Sequence, residues 1–131
     1  TATYISNMVK LENAATSILL EFSAYRTTGS SIRAFYKTME EGSNEDTFNR
    51  DFEPFPGSSN IDQFQKVIDP NRNTGEPDQP VPASIGDEFR EYTFNSREIP
   101  AFTKFQIKVV MIGDNQAKPP RIKELRGIAF A

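Results

Sequence analysis

Tyr25, Arg26, Arg33 and Tyr36 are residues whose types could do chemistry together: two phenol rings and two guanidinium groups, with Phe35 between them, make an aromatic and basic platform for a sugar ring or a protein partner. Aromatic residues on strands more often belong to a core. Trp, the residue most associated with sugar stacking, is absent. A second group is acidic. Asp46, Asp51 and Glu53, with Asp62 and Asp69 further on, offer the hard oxygen donors that calcium takes in flexible geometry. Their spacing does not follow the twelve-residue calcium loop with its central Gly and terminal Glu, and a solvated acidic loop is the plainer reading. Asp87 and Glu88, with Glu91, invite comparison with a glycosidase carboxylate pair. Adjacent residues on a strand point to opposite faces, so a shared site would need a kinked backbone.

Composition narrows the chemistry further. The 131 residues contain no Cys and no His. Disulfide scaffolds, thiolate zinc, serine triads and histidine-ligated metals are therefore excluded, and only carboxylate, Lys or Tyr chemistry survives. We assign no catalytic residue. The net charge of −3, with both signs interspersed, argues against a nucleic-acid surface. Lys118, Arg121, Lys123 and Arg126 near the end accompany Glu124 and read as a solvated face that protects an edge strand. No apolar run is long enough to span a bilayer. A chain of this length makes one domain, able to bury roughly two-thirds of its unfolded surface. It enters an apparent strand at once and ends on Ile128-Ala129-Phe130-Ala131, which leads us to expect a module of a longer polypeptide.

The elements that must position these residues are strands. Phe105, Ile107, Val109 and Met111 alternate with Gln106 and Lys108, and Val110 and Ile112 add a second apolar set, so 102–112 is expected to be the central strand of a sheet. Residues 3–9 read as an edge strand followed by a polar turn over 11–16. Ile18, Leu20, Phe22 and Ala24 alternate, as do Ile32, Ala34 and Tyr36, and the Gly29 turn between them predicts an antiparallel hairpin. From Glu40 to Gly86 the pattern fails. That stretch reads as a long loop, with Phe48, Phe52 and Phe55 dipping onto the core, a short strand over 61–68, and a turn-rich run through Pro70, Gly75, Pro77, Pro80 and Pro82. Residues 89–95 and 121–130 supply further strands, with Gly127 a bulge or a point of close approach. Short strands, turn-rich links and eleven Phe residues predict an all-β antiparallel sandwich, jelly-roll-like in the manner of galactose-binding domains. A closed barrel is the competitor.

Three stretches carry a family resemblance: the opening Tyr4-Ile5-Ser6-Asn7-Met8-Val9-Lys10-Leu11-Glu12-Asn13, the segments Phe22-Ser23-Ala24-Tyr25-Arg26 and Ile32-Arg33-Ala34-Phe35-Tyr36-Lys37, and the end, Phe102 to Val109 with Pro120 to Ala129. Together they resemble a β-rich module of virion structural proteins in contractile-tailed marine and cyanobacterial phages. The resemblance implies a non-enzymatic part of a tail, baseplate or fibre, located in the virion, whose partners are other virion proteins or further copies of itself. It carries no functional residues over. A jelly-roll carbohydrate-binding module, meeting a surface glycan through Tyr25, Arg26, Arg33 and Tyr36, is the alternative, with calcium the one cofactor that the acidic loop would suit. Neither reading involves nucleic acid or membrane insertion.

Overall fold

The computed structural model describes residues 2–40, 51–113 and 121–131. Its longest strand is the one with the cleanest alternation. Phe102–Ile112 (β7) turns Phe105, Ile107, Val109 and Met111 inward, all buried, and sends Lys108 and Val110 outward. On one side it pairs along its whole length with Ser31–Glu40 (β4). On the other it pairs with Ala2–Ile5 (β1) and then Val9–Ala15 (β2), laid end to end. The two-residue strand Glu53–Pro54 (β5) adds to the far side of β4, giving a five-stranded antiparallel sheet with β7 central, as expected.

The second sheet has three strands. Ser17–Tyr25 (β3) lies between Arg90–Ser96 (β6) and Arg121–Phe130 (β8). Inward residues of both sheets form a single core. The chain is thus an all-β sandwich of two antiparallel sheets. Rings tie the layers together. Phe22 stacks on Tyr92 and Phe94 at 5.6 and 5.4 Å, Phe94 meets Phe55 at 5.7 Å, and Phe55 meets Tyr36 of the opposite sheet edge-on at 5.0 Å.

Several expectations are corrected. β3 and β4 are not a hairpin: β3 pairs with β6 and β8, and β4 with β7 and β5. Their alternation is as predicted, but the apolar rows face each other across the core, and residues 26–30 carry the chain from one sheet to the other. The turn expected over 11–16 is largely strand β2, because pairing with β7 and the packing of Leu11 on the core outweigh a polar sequence. Its polar middle bulges out between Lys10 and Ala15. The strand expected over 61–68 is a turn closed by one bridge, Ile61 with Val67. One Asp62 carboxylate oxygen accepts the Phe64 and Lys66 amides at 2.8 and 3.0 Å, which curls the backbone away from an extended path. Phe55 is in the core and Phe52 half-buried, whereas Phe48 lies outside the described residues. Gly127 is neither a bulge nor an unusually close approach: a Cβ there would meet the Phe105 ring at 3.5 Å, an ordinary packing contact. The bulge in β8 lies earlier, between Lys123 and Arg126, where Glu124 has φ 58°.

Val109 is fully buried on β7, opposite Ala34. A carboxylate there would have no partner, at a cost of several kcal/mol, comparable with the whole stability of a small domain. Val109→Asp is therefore expected to abolish folding. A soluble variant that still melts cooperatively by circular dichroism would contradict the assignment of β7 to the core.

Candidate functional site

The structure does not bring the four platform residues together on one face. Tyr36 points into the core, where its hydroxyl accepts from Ser96 at 2.9 Å; burial, the largest influence, pushes the phenol pKa up. Tyr25 lies in the other sheet, beside Phe89 at 6.3 Å, on the outward row of β3 that continues through Ser23 and Glu21. No shared aromatic face forms. The alternation was sound, but a sheet crossing between the strands puts the two rings on different surfaces.

Arg26 and Arg33 do meet, at a cleft of about 240 Å³ that they line with Pro77, Val81 and Tyr92. Their guanidinium groups hold backbone. Arg26 donates to the carbonyls of Ser30 and Val81 at 2.7 and 2.8 Å and to the Tyr92 hydroxyl at 3.2 Å. Arg33 donates to the Thr74 carbonyl at 2.8 Å and pairs with Glu76 at 3.6 Å. Next to it, Gly75 accepts the Ala34 amide and donates to the Phe55 carbonyl at 2.7 Å; its φ of 81°, and an Ala34 oxygen that would sit 3.2 Å from a Cβ, restrict this position to glycine. Both arginines staple the long middle segment to β3 and β4.

The acidic residues are dispersed. Asp46 lies outside the described residues. Asp51 and Glu53 share a shallow hollow with Lys37 and Thr38, beside the Phe52 ring that the Lys37 and Lys108 ammonium groups approach at 4.6 and 5.0 Å. Asp62 closes the turn already described, and Asp69 caps a short 3-10 turn through the Asn71 amide. Among the described residues no three carboxylates converge. Asp87 and Glu88 precede β6 rather than lie on it, and Glu88 pairs with Arg90 at 3.7 Å. Arg121, Lys123 and Arg126 are exposed along β8, Arg126 paired with Glu21 at 3.3 Å and the Lys123 ammonium over the Phe89 ring at 4.3 Å; Lys118 lies outside the described residues.

One concavity among the described residues is one that sequence reasoning missed. A groove of about 650 Å³, open to solvent, runs between β6 and the segment 78–82. Asp78 builds it. Its amide donates to the Thr93 carbonyl at 2.9 Å and its carboxylate accepts the Asn95 amide at 3.0 Å, so the segment docks on the outer edge of β6. Burial pushes the Asp78 carboxyl up, an effect partly offset by the hydrogen bonds from Asn95 and the charge of Arg97. Pro80, Val81 and Pro82 form one wall, with Glu91, Thr93 and Asn95 on the other. Arg90 Nε and Asn95 Oδ1 are buried without a hydrogen-bond partner. In the sequence the only signal was the turn-rich run of prolines ahead of a strand, and nothing there says which strand they cover.

No family model matches the chain, and searches against curated proteins and solved structures found no similar chain. No helix among the described residues is long and apolar enough to cross a membrane.

Two outcomes test this account. Arg26→Lys keeps the charge but not the fork, leaving carbonyls of Ser30 and Val81 unpaired, and is expected to cost about 1–3 kcal/mol in urea unfolding. A loss under about 0.5 kcal/mol, the range of ordinary surface substitutions, would contradict the stapling role. For Asp78 the folded pKa exceeds the unfolded one, so its contribution is fully present below the unfolded pKa and is lost as pH rises through the folded value. Relative to Asp78→Asn, the wild type should therefore lose stability as pH is raised from about 3.5 to about 7. A stability difference independent of pH would refute it.

Proposed function

We propose that this chain is a non-enzymatic structural or adhesion module of a phage virion, a tail, baseplate or fibre component that works by packing against other virion proteins or copies of itself. One observation carries the packing half of this reading: the sandwich caps its sheet edges on one flank and leaves them open on the other. On the capped flank, the segment containing Phe55 and Gly75 covers β4, and Asp78 covers β6. On the open flank, β1, β2 and β8 have no further strand beside them among the described residues. There Tyr4, Ile5, Val9, Ile128 and Phe130 are exposed, at 42, 50, 37, 50 and 39 %. An uncapped edge flanked by exposed apolar side chains favours association. The virion setting rests on the resemblance of the chain's two ends. A jelly-roll path is supported by the nested pairing of β3 with β8 and β4 with β7, a doubled ribbon that passes from one sheet to the other.

Sedimentation across a concentration series should show self-association, or association with products of the adjoining genes. Ile128→Lys combined with Phe130→Lys should weaken it at least tenfold while leaving the melting transition in place. Flanking DNA should encode tail or baseplate proteins. A chain that stays monomeric to about 1 mM, binds no neighbouring product and lies among metabolic genes would sink the reading.

The second reading, a carbohydrate-binding module, is favoured by the groove beside β6 rather than by the Tyr25 and Tyr36 pair.

A further inference from the structure

We infer that the groove between β6 and the segment 78–82 is a binding site for a neutral saccharide. The inference rests on the second reading above and gives it a location and a ligand class.

The argument starts from the shape. A groove of about 650 Å³ is within the range of small-ligand sites and has the volume for a small saccharide. Its position is fixed by backbone, since Asp78 is bound to Thr93 and Asn95 of β6, and Arg26 holds Val81 from behind. Proline at 80 and 82 stiffens the wall, so little order has to be gained on binding.

The polar groups then select the ligand. Carboxylate, amide and guanidinium groups each present two hydrogen-bonding atoms in one plane, a spacing suited to adjacent hydroxyls on a sugar ring. Asp78, Glu91, Asn95 and Arg90 line the groove with such groups. Two of them hold orphaned atoms: Arg90 Nε has a proton to donate and Asn95 Oδ1 a lone pair to offer, and neither has a partner. Both atoms are covered by protein in the ligand-free chain, so a ligand hydroxyl, able to donate and accept, would satisfy them only once the two side chains rotate into the groove. Phe89 and the prolines add apolar surface for the C–H face of the ring.

Charge sets the class. Asp78, Glu88 and Glu91 are balanced by Arg90, by Arg97 beside Asp78 and by Lys123 over the Phe89 ring, so the groove holds no excess positive charge to select phosphate, sulfate or acidic sugars. It does not call for a cationic ligand either, because Glu88 is already paired with Arg90 and Glu91 accepts the Ser23 hydroxyl at 3.3 Å. A neutral, hydroxyl-rich ligand remains.

The test is an array of neutral, acidic and amino oligosaccharides probed with the folded chain, with calcium present, followed by amide-resolved NMR titration with the strongest neutral binder. Dissociation constants near 1 mM or tighter are expected, with shifts concentrated at Asp78, Glu91, Thr93 and Asn95. Glu91→Gln and Gln79→Ala, both at exposed positions, should weaken binding at least fivefold without moving the melting temperature. Neutral-glycan binding that maps elsewhere, or is untouched by these variants, would overturn the groove assignment while the carbohydrate reading stood. Binding confined to acidic or amino sugars would overturn the ligand class. An array blank for every glycan would overturn both.

Discussion

The fold depends on the burial of Phe55. It belongs to neither sheet's long strands, yet its ring is fully buried between Tyr36 of one sheet and Phe94 of the other. Removing such a ring typically costs about 3–5 kcal/mol, a large share of the stability of a domain this size. The same residue is a backbone hub: its amide donates to the Ala34 carbonyl at 3.1 Å, and its own carbonyl accepts the Gly75 amide at 2.7 Å. One side chain therefore closes the core while its backbone ties the irregular middle of the chain to β4. Everything that the middle segment builds afterwards, including the arginine staples and the wall of the groove, starts from that anchor.

The strands could be read from the sequence because their pattern is physical and local. Ile18, Leu20, Phe22 and Ala24 alternate because one face of β3 is buried, and the same holds for β4 and β7. Which strands lie side by side could not be read in this way. A short link containing Gly29, with φ 90°, serves a hairpin and a crossing between sheets equally well, since in both cases the chain must reverse. In the structure the two apolar rows face each other across the core from different sheets. Tyr25 and Tyr36 are parted by that arrangement. β2 escaped notice for the opposite reason: Glu12 and Asn13 are exposed and tell nothing of the pairing that makes the segment a strand.

The groove was illegible for a different reason. It joins residues about 78–82, 88–95 and Gln65, each ordinary where it stands in the chain. No motif spacing relates them. Asp78 gains its role only by reaching across to Thr93 and Asn95, a contact of long sequence separation set by where the sheet happens to end. Arginines misled in a similar way. Arg26 and Arg33 have the chemistry of ligand binding, but the long middle segment presents carbonyls that need donors, and a guanidinium fork satisfies several at once. Sequence gives the donor's capacity and not its claimant.

The two proposed surfaces are compatible because the sandwich keeps them apart. β6 and β8 flank β3 on opposite sides, so the groove and the open edges lie on different flanks of the molecule. Association through β1, β2 and β8 would leave the groove facing outward. The open edge is itself guarded. A bulge at Glu124, with Arg121 and Lys123 before it, interrupts β8 and adds like charge where an approaching strand would have to pair. Only the last part of β8, where Ile128 and Phe130 are exposed, is left regular enough to engage a neighbour. A contact confined to so short a stretch would stop short of open-ended sheet growth.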